Sequence, residues 1–419
     1  MLNKDLTYYK QSLNVVKGIS ILIVLSIIFD TIFYLQGEDS KITYLRGVII
    51  YLFLAFVIVE YRVVRMSSAN KIVFLLIFYW ATLIPFSSQI FKTINVYSKI
   101  IVPFVVFIIS SNLYINKKYF KYIYVSFSLV VVISVLFAIL SNIFGFGDDS
   151  YTRNVDEYIG VGLGDGKLYA QAVAISIFPF IWYNFKLSKR QKLVFFLVLI
   201  SCLIYSIISV RRTTLIIIFL SITQFYFFSK KINKILKIIP TVVIILFVSS
   251  YFWLPILESR LKLRESRFSA TYDIEEEARW KEIPFVIDEI FLSSDIKLML
   301  FGKEFLNSSG NYANGIFGDR RLHIDYMGIL HGSGLVGLFF YFIVYLSIYR
   351  WFNKMYKTNK TLTKSQLLDY KGLFYALLFT SLFISLSGQM YEVTFRTMIF
   401  FVLGISISNL RNDYNSIVI

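Results

Sequence analysis

Two adjacent arginines, Arg211 and Arg212, stand between the strongly apolar runs 193–210 and 213–228, with almost no loop to separate them. Paired guanidinium forks bind an oxyanion bidentately, and such a pair pinned at the edge of a bilayer is chemically conspicuous. A charge at bilayer depth costs roughly 2.5–3.5 kcal/mol, so these cations call for an anionic partner or an aqueous cavity. The second chemically suggestive group is His323, in the run Arg321-Leu322-His323-Ile324-Asp325 that leads into an apolar stretch. Imidazole accepts a proton near neutral pH, which suits it to deprotonating a hydroxyl. Asp325, two residues on, would not share a helix face with His323, so it reads either as an orienting partner or as the cap of the following helix. The other histidine, His331, falls inside the apolar stretch and reads as a satisfied core residue. No cluster of metal-ligand type is visible, so any chemistry is expected to need neither metal nor cofactor.

The elements that must hold these groups are membrane helices. The 419 residues are 57% hydrophobic with a mean hydropathy of +0.66, which argues against a soluble protein. Apolar windows predict an all-α bundle of about twelve spans: 15–35, 45–60, 72–91, 99–114, 119–143, 168–187, 193–210, 213–229, 236–257, 326–349, 371–389 and 394–410. The organisation that follows is nine spans in 1–257, a long loop with short helices over 258–325, and three spans in 326–419.

The formal charge of +17 does not point to nucleic acid. Arg62, Arg65, Lys117, Lys118, Lys189, Arg190, Lys230, Lys231 and the basic tract 350–371 all fall on one side of the predicted bundle. The positive-inside rule makes that side cytoplasmic, together with both termini. Arg211 and Arg212 then lie on the outer side, where anchoring arginines are not expected. The polar N-terminus runs straight into the first span without a small-residue cleavage site, so no cleaved signal peptide is expected. The abundance of Lys, Ile, Asn, Tyr and Phe fits an AT-rich bacterial genome. Cys202 lies in an apolar run and reads as packing, which excludes a disulfide framework.

Two outer segments are long enough to carry structure. The first, 145–167, contains Arg153 and four spaced glycines from Gly160 to Gly166, but Lys167 is followed by Leu168, so it is no phosphate-binding loop of the Gly-Lys-Ser/Thr kind. In the second, 258–322, the portion 266–290 has apolar positions near helical spacing behind an acidic start, and 307–318 reads as loop.

Several of these segments resemble the O-antigen polymerase and O-antigen ligase superfamily. The run 321–340, RLHIDYMGILHGSGLVGLFF, is similar to the family's outer-face histidine followed by a helix with Gly-x-x-Gly, with His323, Gly334 and Gly337 on that spacing. Ser-Val-Arg-Arg-Thr-Thr-Leu at 209–215 resembles the family's Ser-x-x-Arg-small-x-Leu, with Arg212 on the family arginine. Arg279-Trp280 ahead of Leu300-Phe301-Gly302 resembles its long outer loop. Ile324 stands where the ligases carry Asn, Ser or Gln, which favours the polymerase branch. The first outer loop reads Asp165-Gly166-Lys167 where a Pro-Asn element is usual.

The resemblance implies transfer of glycan from a polyprenyl-diphosphate-linked chain to an acceptor sugar hydroxyl at the outer face of a bacterial plasma membrane, in work shared with a chain-length regulator and a flippase. It implies His323, Arg212 and Arg279 as catalytic residues and Arg211, Arg153, Arg321 and Asp325 as substrate-binding ones. A ligase moving finished polymer to a lipid acceptor is the nearest alternative. A flippase or transporter is the alternative from another class; against it stand the absence of matching halves and the scarcity of carboxylates within spans, Asp30 being the clearest.

Overall fold

The computed structural model describes residues 2–36, 41–61, 67–113, 119–144, 165–208, 212–271, 282–308, 311–316, 322–388 and 390–415. Among these there is no strand, and the secondary structure is helical. The first helices are α1 (Leu2–Gln36), α2 (Lys41–Tyr61), α3 (Ser68–Leu83), α4 (Ile90–Asn112) and α5 (Phe120–Phe144). They are followed by α6 (Asp165–Ser176), α7 (Phe178–Asn184), α8 (Lys189–Ile208), α9 (Arg212–Phe228) and α10 (Ile232–Thr271). A short helical segment, 282–291, and the small helix α11 (Ile296–Phe301) precede α12 (Asp325–Thr358), α13 (Lys364–Ser387) and α14 (Val393–Asn415).

Eight helices among the described residues are long and apolar enough to cross a membrane, and Gly47–Val59, Thr213–Phe228 and Val242–Pro255 are shorter apolar helices. The stretch 168–187, expected as one span, is divided at Ile177, where Pro179 sits in the first turn of α7. Proline there has no helical N–H to lose, so it starts a helix cleanly. The long loop also begins later than expected. Instead of ending near residue 257, α10 runs on as one helix of 40 residues through Pro240 and Pro255 to Thr271. Of the expected helix over 266–290, the residues up to Thr271 are the end of α10 and those from 282 belong to the helical segment 282–291, while 272–281 lie outside the described residues.

At the centre stands α14, whose residues 393–410 are all buried within the protein. It packs on α4 through Phe400 against Phe104, ring centroids 4.9 Å apart. The backbones approach closely at Gly404, where a Cβ would lie 2.0 Å from the Ser110 hydroxyl. This is how small residues let membrane helices pack without a hydrophobic driving force between them. The outer faces carry the opposite character: Phe56, Phe219 and Phe247 are 57%, 66% and 78% exposed, as surface meeting lipid must be. With eight apolar helices of membrane length among the described residues, the molecule is a multi-pass helical membrane protein.

Polar contacts mark the two ends of the bundle. At one, Lys231 pairs with Asp369, which also accepts from Asn184 at 3.1 Å, and Asn359 donates to the Leu410 carbonyl at 2.9 Å. Lys121, Lys189 and Lys364 begin or flank helices at this same end. At the other, Tyr169 meets Ser387 (3.2 Å) and Thr394 donates to Asp30 (2.6 Å), so the carboxylate flagged within the first span has a partner. Between them Ser176 donates to Ser221 (2.7 Å) and the Tyr183 hydroxyl meets that of Tyr226 (3.4 Å). These rungs make α9 parallel to α6–α7 and antiparallel to α13. Arg212, the first residue of α9, thus sits at the Tyr169–Ser387 end.

Candidate functional site

That end carries His323. Its imidazole is 29% exposed and lies in front of a carboxylate, Glu282, that is 1% exposed. Glu282 sits at the start of the segment 282–291 and gathers three donors. Its Oε1 accepts from the Tyr312 hydroxyl at 3.2 Å and faces His323 Nδ1 at 3.3 Å, while Oε2 accepts from the His323 backbone N–H at 3.1 Å. An ionised carboxylate can only accept, so Nδ1 is the ring nitrogen that donates to it, and in the neutral imidazole the lone pair is then on Nε2. An oriented imidazole with its basic nitrogen turned from the carboxylate is what a general base for a hydroxyl requires.

The backbone of the same segment is held from the opposite side. Asp325, 4% exposed, is the first residue of α12, and Ile324 is its cap. The Asp325 carboxylate therefore does not cap the helix. Oδ1 accepts from the Met390 backbone N–H at 2.9 Å, and Oδ2 is ion-paired with Arg396 of α14. Arg396, 4% exposed, also reaches the Ser385 hydroxyl (3.5 Å) and lies over the Phe395 ring. Thus Asp325 ties the α12 start to the α13–α14 turn instead of facing His323. Two residues before Met390 in that turn, Gly388 has φ +88°, and a Cβ there would lie 1.7 Å from the His323 carbonyl oxygen. Only glycine lets the turn close on His323 in this way.

The loop reaches the site through a break in α12. Gly334, at φ 62° and ψ −166°, interrupts the helix. The interruption frees the His331 carbonyl, which accepts from the Lys303 N–H at 2.7 Å, and the Ser333 carbonyl, which accepts from the Tyr79 hydroxyl at 2.7 Å. The Leu300-Phe301-Gly302 element fills the notch. A Cβ on Gly334 would meet the Leu300 carbonyl oxygen at 2.2 Å, and one on Gly302 would meet the His331 carbonyl oxygen at 2.6 Å. Two motifs far apart in the chain are therefore one contact. Beyond it Glu304 accepts from the Ser87 and Ser88 hydroxyls and the Ser88 N–H, at 2.6, 3.1 and 2.8 Å. This pins the loop to the corner between α3 and α4. Gly337, by contrast, serves a helix contact, facing Tyr79 of α3.

His331 is fully buried, with Nε2 against the Asn311 carbonyl at 3.4 Å and its ring edge-on to Tyr312, so it belongs to the packing beneath the loop. Cys202 is likewise buried, donating to Gln171 at 3.3 Å. Of the remaining arginines singled out by the sequence, Arg153, Arg211, Arg279 and Arg321 lie outside the described residues, and Arg212 is described by its backbone position alone.

Glu282 and Arg396 did not emerge from sequence reasoning. Glu282 is 41 residues from His323, a separation at which no local spacing signals a pair. Arg396 did leave a signal: an arginine inside the predicted span 394–410 requires a buried partner, and Asp325 is one. No protein-family model matches the sequence, and no curated protein matches it.

Proposed function

We propose that the protein polymerises lipid-linked oligosaccharide repeat units of a bacterial surface polysaccharide, moving glycan from a polyprenyl diphosphate to a sugar hydroxyl on the outer side of the plasma membrane. The observation that carries this reading is the Glu282–His323 pair at the end of the bundle where α9 begins with Arg212. The acceptor oxygen attacks the anomeric carbon, its proton passes to His323 Nε2, and the bond from that carbon to the diphosphate oxygen breaks. Negative charge grows on the departing polyprenyl diphosphate. Arg212, joined by Arg211 and Arg279, neutralises it, and the N-terminus of α9 adds its own preference for an anion. Arg153 and Arg321 serve the glycan and diphosphate more distantly, and Asp325 acts by holding the His323 segment. Loss of the base is expected to cost about 10²–10⁴ in rate.

The topology in this reading is twelve crossings with both termini inside. The collection of Lys121, Lys189, Lys231 and Lys364 at the end opposite His323 supports it through the positive-inside rule. In cells, Arg212→Ala and His323→Ala are each expected to abolish long surface chains while lipid-linked single repeat units persist. Chains of normal length in both variants would refute the proposal. Complete polymer stranded on its carrier would instead select a ligase.

A further inference from the structure

The loop beside the site carries apolar surface at an unexpected depth. Leu292, Ile296 and Phe301 are 66%, 66% and 47% exposed. They flank and belong to α11, which is not perched on top of the bundle. Its inward residue Leu298 packs against the buried cluster of Val286, Ile290, Tyr312, Leu322 and Leu330, against which Leu335 and Leu338, beyond the Gly334 break within the α12 span, also pack. Leu300 meets Gly334 itself, next to the Ser333 carbonyl that binds Tyr79. Tyr79 lies about 6 Å below Leu83, the last residue of α3, at the helical rise of 1.5 Å per residue, and Ser87 lies beyond that end. Ser87 is where Glu304 anchors the returning chain, so the chain descends beside α3 and α12 before climbing back to the anchor. At that level α3 and α12 already present lipid-facing surface: Phe78 and Phe339 are 59% and 62% exposed.

We infer that 291–301 is a shallow interfacial wedge, with Leu292, Ile296 and Phe301 covered by acyl chains of the leaflet on the His323 side. Surface continuous with lipid-facing span surface is covered by the same solvent. The backbone is prepared for it, because non-aqueous surroundings demand internal hydrogen bonds. The Asp295 carboxylate accepts from Lys297 N–H at 2.8 Å, Met299 N–H reaches the Asp295 carbonyl at 3.0 Å, and Gly302 N–H reaches that of Leu298 at 2.8 Å. The exposed side chains of Asp295 and Lys297 extend to the headgroups and limit the depth, as in amphipathic elements lying at the boundary. Such a wedge holds the loop, and with it Glu282, at headgroup height, and it is independent of the transfer chemistry.

The test uses the full-length Cys202→Ser protein in phosphatidylethanolamine–phosphatidylglycerol vesicles, with a nitroxide at Ile296→Cys. Collision rates with oxygen and with a water-soluble nickel chelate are compared with those at Phe78→Cys in the span and Lys189→Cys in water. The oxygen-to-nickel ratio at 296 is expected to stand severalfold above that at 189 and near that at 78. A label at 296 as open to nickel as the one at 189 overturns the wedge. A label at 78 open to nickel overturns it together with the assignment of α3 as a span. Should Ile296→Cys fail to assemble, Leu292→Cys gives the same reading.

Discussion

Asp325 carries a charge that has left water, and its balance rests on one residue, Arg396. Truncating one partner of a buried pair strands the other, typically at about 3–5 kcal/mol. Arg396→Ala is accordingly expected to lower the thermal midpoint of the detergent-solubilised protein sharply, and Arg396→Lys, which keeps a charge, to lower it less. An unchanged midpoint in Arg396→Ala would mean that the pair does not hold the α12 start to the α13–α14 turn. At this scale the sequence was informative about which side-chain types matter and silent about who partners whom. His323 was readable because an imidazole at a membrane edge has few structural uses. Its carboxylate partner was not, since Glu282 reaches it across a loop closure, and the nearer carboxylate, Asp325, faces the other way.

Among the elements, eight of the twelve expected spans stand as helices of membrane length among the described residues, and two of the departures have local causes. Ile177 divides one stretch because Pro179 opens a new helix there. In α10, prolines at 240 and 255 do not end the helix, and polar residues after 257 continue it, since polarity alone does not stop a helix that has no glycine or proline break ahead of it. The Gly334 break was not legible: Gly334 and Gly337 stand in the sequence as a Gly-x-x-Gly pair within a helix, and only the loop folded against it reveals that Gly334 is non-helical. Two substitutions separate these roles. A Cβ added at Gly328 would meet nothing within 4 Å, so Gly328→Ala is expected to gain about 0.5–1 kcal/mol, the usual advantage of alanine within a helix. Gly334→Ala combines a backbone conformation that costs of order 1–3 kcal/mol outside glycine with a collision against Leu300. Denaturation midpoints that move in opposite directions are the expected result, and a Gly334→Ala protein as stable as Gly328→Ala would contradict the docking of loop on helix.

The whole molecule has two chemically distinct ends, one lined with lysines at helix starts and the other holding His323, Glu282 and the start of α9. The sequence anticipated this division through the alternation of apolar stretches and basic tracts, because each crossing carries its flanking charges to a definite side. In the proposed orientation a cysteine at position 212 in intact cells is modified by an impermeant maleimide, whereas one at 189 is modified only after the membrane is opened. The reverse pattern would put the candidate site in the cytosol. The most direct measurement is made with purified protein in vesicles supplied with polyprenyl-diphosphate-linked repeat units, following chain length and release of polyprenyl diphosphate. The wild type is expected to build a ladder of products with one carrier released per bond, His323→Ala to build none, and Glu282→Gln to fall between. A ladder unaffected by His323→Ala, or no extension by the wild type, would contradict the account.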